Sequence, residues 1–451
     1  MKTSPILLAI SMIYTLNTVS AADSVAPSQK PPNNLAVSNV PQFLIFGYDD
    51  QETRAGMQAV VDIFKQRKNP PGLGRKETFD GSPARCSFYT NTMYLDDAAL
   101  KNLHKQAYTD GFEIGNHTHS HETGFNTTES TWKTEMQRCN TDLVSAGIPK
   151  EVITGFRTPF LEYNNAAFKA MVSMGFMYDC SVEEGWENDQ ATGRYFWPYT
   201  LDNGSPGNKA MVDLGQPHEL LNKYPGLWEI PCYNVVFPHD SICEKYGISK
   251  GLRQRTYNYI NYFDPTNGKL TGLDYNLMEE AKVTQKEFLG ILKYNLDMNY
   301  KGNRAPMTFG CHSKYYAESG WAQVLKDFLD YALQYPDVRV VTTNNLIQWM
   351  RNPKPLDPNV TVLSDQNTAV SSIKINSLPG RIIQISGLTA GTFKAHLYTP
   401  DGKRLTSVSK NFPDGISNKA LVTAPQVSVG FIIVSVQNKG VKLTRKVQLL
   451  D

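Results

Sequence analysis

Residues 42–50 read Gln-Phe-Leu-Ile-Phe-Gly-Tyr-Asp-Asp, a mostly apolar run that ends in two adjacent carboxylates. A run of this length, Gln42 to Tyr48, reads as a buried strand that delivers Asp49 and Asp50 at its C-terminal end. A helix is expected to follow near 53–67. The same cadence then repeats. Strands are expected at 86–89, 112–115, 153–157, 176–179, 227–230, 306–311 and 338–342. Helices are expected at 96–110, 130–146, 164–174, 283–299, 320–334 and 346–351, with Trp132, Met136 and Leu143 on one face of the second of these. Strands alternating with helices argue for parallel βαβ units. Most of these strands end in a residue with usable chemistry: Asp49-Asp50, the run 115–121, Arg157, Asp179 and His312. Barrels of such units carry their sites at the C-terminal ends of the strands.

The run Gly-Asn-His-Thr-His-Ser-His at 115–121 supplies the chemistry. His117 and His121 are four apart, which puts both imidazoles on one side of a turn. Two imidazoles and one carboxylate make a half-open site for a divalent cation such as zinc. Such a site can draw a nucleophile from water near neutral pH. The chain therefore reads as a metal-dependent hydrolase. Each feature alone also has a structural reading. HxxxH is weakly specific, an Asp-Asp pair is usually solvated, Arg157 before Thr-Pro can cap a turn, and His312 or Trp186 can simply belong to the core. The weight lies in the set. His104, His218, His239 and His396 fit no motif and are expected to be structural.

Composition bounds the class. The 451 residues are 41% hydrophobic and 20% charged, which suits a globular chain of two or three domains. The net charge of +2 gives no reason to expect a nucleic acid or an anionic membrane as partner. The 23 tyrosines suit either a sugar-stacking surface or a Tyr-rich core. Residues 1–21 have one early positive charge, a short apolar run and Val19-Ser20-Ala21, the pattern of a secretory signal peptide. No later run is long and apolar enough to span a membrane. Residues 22–40 are polar and proline-bearing, a flexible leader. In an exported chain the six cysteines, Cys86, Cys139, Cys180, Cys232, Cys243 and Cys311, are expected to form disulfides, with Cys232–Cys243 favoured because it closes a short loop. The barrel is placed at 41–355. Pro353, Pro355 and Pro358 stiffen the passage into a linker, set at 356–364. Residues 365–451 carry short β-like runs and no helix signal, an all-β sandwich.

Taken in order, Tyr48-Asp49-Asp50, His117-Thr-His-Ser-His121, Arg157-Thr-Pro-Phe160, Asp179 with Trp186, and Phe309-Gly-Cys-His312 resemble the five motifs of the polysaccharide deacetylase family of carbohydrate esterases. Asn303-Arg304-Ala305-Pro306, Phe196-Trp197-Pro198-Tyr199-Thr200 and Ile347-Gln348-Trp349-Met350 look most like its invertebrate chitin-deacetylase branch. The resemblance covers roughly 41–355 and implies a distorted, incomplete (β/α) barrel. It implies that Asp50, His117 and His121 hold the metal and that Asp49 is the general base, held by Arg157. His312 would be the general acid, oriented by Asp179. The backbone N–H of Phe160 would stabilise the oxyanion, and Trp186 would wall the sugar pocket. His119 would not be a ligand. The chain departs from the family in three places: Gln51 stands where Gly or Ala is usual, Phe160 replaces a common Tyr, and Gly-Cys-His replaces Leu-x-His. None removes a ligand or a catalytic group.

The implied function is a secreted deacetylase, using a divalent metal expected to be Zn2+, that removes N-acetyl groups from chitin or chitooligosaccharides. Rival readings are an acetylxylan O-acetyl esterase, a peptidoglycan deacetylase, or an inactive carbohydrate-binding protein. The C-terminal domain is similar to the sorting domains of proteins exported by certain Gram-negative bacteria, through Leu397-Tyr398-Thr-Pro-Asp401-Gly402-Lys403-Arg404 and Gly430-Phe431-Ile-Ile-Val434. That likeness implies a secretion or sorting machinery as partner and a secreted or cell-surface protein. A plain carbohydrate-binding module is the alternative.

Overall fold

The computed structural model describes residues 23–186 and 194–358, then 374–378, 380–388, 391–399, 403–412, 418–426, 431–438 and 441–448. Residues 1–21, read above as a signal peptide, residues 359–364 of the expected linker and residues 400–402 lie outside the described residues. The chain divides into two compact units, Met1–Val360 and Thr361–Asp451.

The first unit begins with β1 (Gln42–Asp50), α1 (Arg54–Lys65), β2 (Ser87–Thr90), α2 (Ala98–Thr109), β3 (Glu113–Asn116), α3 (Glu129–Ser145), β4 (Gly155–Phe156), α4 (Asn165–Met174) and β5 (Tyr178–Asp179). It continues through β6 (Glu183–Glu184), β7 (Tyr199–Leu201), α5 (Pro206–Asp213), β8 (Tyr224–Glu229), β9 (Cys232–Tyr233) and β10 (Val235–Val236). Next come α6 (Asp240–Cys243), α7 (Leu252–Tyr259), β11 (Lys269–Leu270) and a π-helical turn at Tyr275–Glu280. It closes with α8 (Gln285–Lys301), β12 (Met307–His312), α9 (Ser319–Ala332), β13 (Val338–Val340) and α10 (Thr343–Arg351).

The main sheet runs β12-β1-β2-β3-β4-β5-β8-β7, with β13 also on β1. Every pairing in it is parallel except β7 with β8. β13 pairs Gln42–Leu44 and β2 pairs Gly47–Asp50, so one strand feeds two neighbours in succession. Across the gap between the sheet's ends, Tyr233 N donates to Thr308 Oγ1, and that hydroxyl donates to Pro231 O. The sheet is thus a curled, incomplete (β/α) barrel. Its register gathers the C-terminal strand ends: Asp49 lies opposite both His312 and Tyr89, and Asn116 opposite Phe156.

Alternation along β1 explains the layers. Leu44, Phe46 and Tyr48 face the helices, where Phe46 meets Phe64 of α1 and Phe328 of α9 at ring separations of 5.4 and 6.3 Å. Phe43 and Ile45 face the other way, into a cluster with Tyr89, Tyr178 and Trp349. Burying such side chains is worth roughly 1.5–3 kcal/mol each, which fixes the register of β1. Gly47 occupies the next inward position. A Cβ there would lie 2.7 Å from the Tyr89 ring and 2.9 Å from the Arg157 guanidinium, so only glycine admits both.

The cysteine expectation is corrected. All six thiols are free and buried, with no disulfide among the described residues. They are distributed through the core as small apolar groups rather than paired. Cys243, for instance, packs in the helix-side cluster while Cys232 sits near Gly310, 3.5 Å from where a Cβ would project. The stretch between β5 and α8 holds several short elements that the periodicity did not reveal, among them β6, β7, α5, β9, β10, α7 and β11.

The second unit is all antiparallel strand: β14 (Lys374–Leu378), β15 (Ile382–Leu388), β16 (Gly391–Tyr398), β17 (Arg404–Phe412), β18 (Asn418–Thr423), β19 (Phe431–Asn438) and β20 (Val441–Gln448). They form two sheets, β14-β15-β18 and β17-β16-β19-β20. Ile383 and Val422 of one share a core with Phe393, Leu397 and Val434 of the other, the arrangement of a sandwich.

Candidate active site

A cavity of about 500 Å³ opens at the C-terminal ends of the sheet strands. Asp49, Asp50, His117, His121, Phe160 and His312 all line it. They arrive from four strand ends: β1, the loop after β3, the loop after β4, and β12.

Asp49 and Asp50 are neighbours in sequence, and a regular strand would send them to opposite faces. The chain bends instead. Asp50 and Gln51 hold left-handed φ of 68° and 52°, so both carboxylates reach one cavity. Gln51 stabilises the bend, its side-chain amide donating to Tyr48 O at 2.8 Å and Asp49 O at 3.1 Å. Thr118, His121, Phe160 and Leu161 are also left-handed. Strained backbone of this kind costs on the order of 1–3 kcal/mol per residue and clusters at functional sites.

Asp50, His117 and His121 converge with their ligand atoms within 4.8 Å of one another. Asp50 Oδ1 is 3.2 Å from His121 Nε2 and 3.6 Å from His117 Nε2, yet it is buried and accepts no hydrogen bond from the protein. His117 Nδ1 sits 2.8 Å from Arg157 O, a contact that makes Nδ1 the protonated nitrogen and leaves Nε2 with its lone pair facing Asp50. Burial lowers the His117 pKa to about 4. Burial and then the neighbouring His117 lower His121 to about 4. Neutral imidazoles beside an unsatisfied carboxylate oxygen are the donor set a divalent cation takes, so these residues fit one. The loop that carries them is tied to α3: Glu135 accepts from the N–H groups of His119 and Ser120 at 3.1 and 2.7 Å. His119 Nδ1 turns away to Asp142, 3.0 Å off, and is not part of the ligand group.

Asp49 meets Arg157 at 2.9 Å. The guanidinium is almost fully buried, and it also donates to Gly47 O at 3.2 Å and Cys180 O at 3.0 Å and lies over the Tyr89 ring at 4.5 Å. Burial raises the Asp49 pKa to about 6, against the pull of Arg157. Asp49 is thus ionised at neutral pH yet basic enough to accept a proton.

His312 departs from expectation in its partner. Its Nδ1 is 2.9 Å from Asp274 Oδ1, and its backbone N–H donates to Asp274 Oδ2 at 2.6 Å. Asp179 does not hold it. Asp179 accepts instead from Ser181 N and Oγ at 2.8 and 2.7 Å, and Ser181 Oγ receives the N–H of Thr158 at 2.8 Å. Its strand position, between β4 and β8, places it under the Arg157–Phe160 turn and away from β12. Burial would lower the His312 pKa, but Asp274, with Asp49 and Asp50, raises it to about 9. Asp274 lies 38 residues before His312 in a stretch without helix or strand periodicity. In sequence it resembles an ordinary helix cap, and it does accept from Tyr275 N at 2.9 Å.

Trp186 lies outside the cavity of Asp50 and the histidines and lines a second one, which shares Asn276 with it. Phe160 lines the first cavity, with its ring 4.5 Å from that of His121 and the residue 60% exposed.

Residues 78–178 match the family model described as polysaccharide deacetylase. Chitin deacetylase 8 of Bombyx mori is 24% identical over 343 residues, covering 74% of this chain and 77% of that protein. Chitin deacetylase 1 of Bombyx mori is 25% identical over 335 residues, covering 72% of this chain and 53% of that protein, so the match spans about half of that relative. Among solved structures, a putative polysaccharide deacetylase from Mycobacterium smegmatis is 15% identical and covers 72% of this chain and 95% of its own, with a TM-score of 0.44.

Proposed function

We propose that this chain, which belongs to the polysaccharide deacetylase family, is a secreted, metal-dependent enzyme that hydrolyses N-acetyl groups of a chitin-like polysaccharide and releases acetate. The observation that carries the reading is Asp50 Oδ1, buried, bonded to nothing and flanked by the Nε2 atoms of His117 and His121. Secretion rests on the leader pattern of residues 1–21, and attachment or sorting on the likeness of the C-terminal domain to sorting domains.

Asp50, His117 and His121 hold the cation in this reading, with zinc the best match to two imidazoles and a carboxylate. A bound cation supplies Lewis acidity that polarises the acetyl carbonyl and acidifies the attacking water. Asp49 takes the proton from that water, and Arg157 keeps its carboxylate aimed and charged. The developing oxyanion lies near the Phe160 N–H. His312, held protonated by Asp274, gives its Nε2 proton to the departing amine nitrogen. The products are acetate and a glucosamine unit.

The test is acetate release from chitooligosaccharides by the mature chain with zinc, after chelation, and with Asp49→Asn. The reading expects release that needs both metal and Asp49. Metal-dependent release from acetylxylan alone would keep the chemistry and change the substrate to an O-acetyl ester, and peptidoglycan as the only substrate would change it likewise. Binding of glycan with no release from any of them would leave a carbohydrate-binding protein.

A further inference from the structure

Along β12, Gly310 and His312 are the residues that are not fully buried, and alternation puts both on one face, toward the catalytic cavity that they line. Their register partners on β1 are Gly47 and Asp49. Beneath the reactive pair Asp49 and His312 the sheet therefore presents two glycines. The reasons for them differ. At Gly47 the Tyr89 ring and the Arg157 guanidinium leave no room for a Cβ. At Gly310 nothing crowds. A Cβ there would lie 3.5 Å from Cys232 Sγ and 3.7 Å from Arg157 Nη1, both ordinary contacts, with no other non-neighbouring atom within 4 Å. Its φ is not left-handed either. Neither packing nor backbone calls for glycine at this position, where the chain departs from Leu-x-His. What the missing side chain leaves is a gap about as wide as one methyl group, bounded by the Cys232 thiol.

Cys232 lines the same cavity. Burial raises its pKa to about 11, so at neutral pH this wall of the gap is an uncharged, polarisable S–H. The gap is therefore suited to a carbon atom rather than to a charged group.

The groups around the reacting carbon decide what points into it. In the tetrahedral intermediate of amide hydrolysis the incoming oxygen lies toward Asp49, the oxyanion toward the Phe160 N–H, and the nitrogen, which carries the polymer, toward His312 Nε2. The fourth substituent, the acyl chain, is left with the cavity floor, where Gly310 sits two residues before His312 on the same face. This direction rests on the deacetylase reading.

We propose that the gap between Gly310 and Cys232 admits an acyl chain one carbon longer than acetyl, so that the chain hydrolyses N-propionyl as well as N-acetyl groups of its polysaccharide. Water adds its oxygen to the acyl carbon and gives a proton to Asp49. The C–N bond then breaks, and the nitrogen takes the proton held by His312. The products are propionate and the free amine. A butyryl chain would run into Cys232, so Gly310 opens the pocket by one carbon and Cys232 closes it there.

The test compares kcat/KM of the zinc-loaded full chain on chitotetraose N-acylated throughout with acetyl, propionyl or butyryl groups. One methylene in an apolar pocket is worth roughly 10- to 200-fold in discrimination, so the wild type is expected to take propionyl within about tenfold of acetyl and butyryl at least about tenfold less well than propionyl. Gly310→Ala fills the gap with its own methyl and is expected to lower the propionyl-to-acetyl ratio at least about fivefold. Cys232→Ala lengthens the gap and is expected to raise the butyryl-to-acetyl ratio by a similar factor. Ratios within one preparation do not depend on how much of a variant has folded. Propionyl turnover more than tenfold below acetyl in the wild type, or a smaller change of ratio in Gly310→Ala, overturns the proposal and leaves the deacetylase reading standing. Should the wild type release no acid from any of the three, calorimetric titration with the acetyl and propionyl tetramers decides the pocket by itself. Affinities within tenfold in the wild type that Gly310→Ala separates at least fivefold keep the longer pocket and sink the catalytic reading alone. Affinities that Gly310→Ala does not separate, or no binding, sink both.

Discussion

His312 Nδ1 lies 2.9 Å from Asp274 Oδ1, and the same carboxylate takes the His312 backbone N–H through its other oxygen. Asp274 is fully buried, so this pairing has no solvent competitor. It fixes the ring and keeps Nε2 pointed at the cavity, 3.8 Å from Asp50. Exchanging the carboxylate for a neutral amide, as in Asp274→Asn, would remove the charge that holds the imidazole protonated. Burial then acts unopposed by its nearest anion and the pKa falls from about 9. The catalytic acid is protonated only below its pKa, so the alkaline limb of the pH–rate profile of Asp274→Asn should move to lower pH. The rate at neutral pH should fall by about 10²-fold or more, as for loss of a general acid. An alkaline limb in the same place as wild type would show that Asp274 does not set this proton.

The ligand group makes a second prediction. Chelation should abolish turnover, and restoring zinc should recover it. His121→Ala should leave little bound metal by elemental analysis. The metal should also raise the melting temperature of the wild type, since a ligand at about a thousand times its Kd contributes about 4 kcal/mol. A melting temperature indifferent to zinc in wild type would argue that Asp50, His117 and His121 hold no cation.

The sequence reading reached the residues it did because of where their signals lie. Asp49-Asp50 and His117–His121 are local: each is a short run at the end of a strand whose apolar character is itself local, and the structure brings these runs to one cavity. Asp274 was not legible, because it lies in the loop that leads from β11, two residues long and held only by its pairing with β10, into the π-helical turn at Tyr275–Glu280. No window of two residues carries a period. The assignment of Asp179 to His312 failed for a related reason. The resemblance supplied Asp179 as the partner acid, but parallel sheet order puts β5 four places from β1, whereas β12 lies next to β1. The disulfide expectation rested on compartment alone, which carries no geometry, and the six thiols are free and buried.

Glu135 offers a third prediction. One carboxylate oxygen receives the N–H groups of His119 and Ser120, between the two histidines of the ligand group. Hydrogen bonds to a charged group contribute about 1.5–3 kcal/mol, and this pair holds a loop rather than a helix. Glu135→Ala should weaken zinc affinity by about 10- to 100-fold, as for other groups that orient metal ligands from behind. Competition against a chromogenic chelator would read this. The melting temperature of the metal-free chain should change far less than the affinity. A loss confined to stability, with zinc affinity intact, would assign Glu135 to the fold and not to the site.

Gly56 tests the link between α1 and the loop after His312. Thr53 caps this helix by accepting from Gly56 N at 3.2 Å, and Gly56 is buried in the first turn. In an exposed helix interior, alanine would be favoured over glycine by about 1 kcal/mol. Here the sign should reverse. A Cβ on Gly56 would fall 2.4 Å from Ser313 O and 2.8 Å from Lys314 Cα, backbone atoms that follow His312 directly. Backbone cannot swing aside as a side chain does, so either α1 or the 313–314 segment must move. Overpacking of this kind costs about 1–3 kcal/mol. Gly56→Ala should therefore lower the midpoint of chemical unfolding. It should also reduce turnover more than zinc affinity, because the displaced segment carries His312 and not the ligand group. An alanine variant as stable and as active as wild type would mean that helix α1 does not press on this loop, and that the position of His312 is set by Asp274 alone.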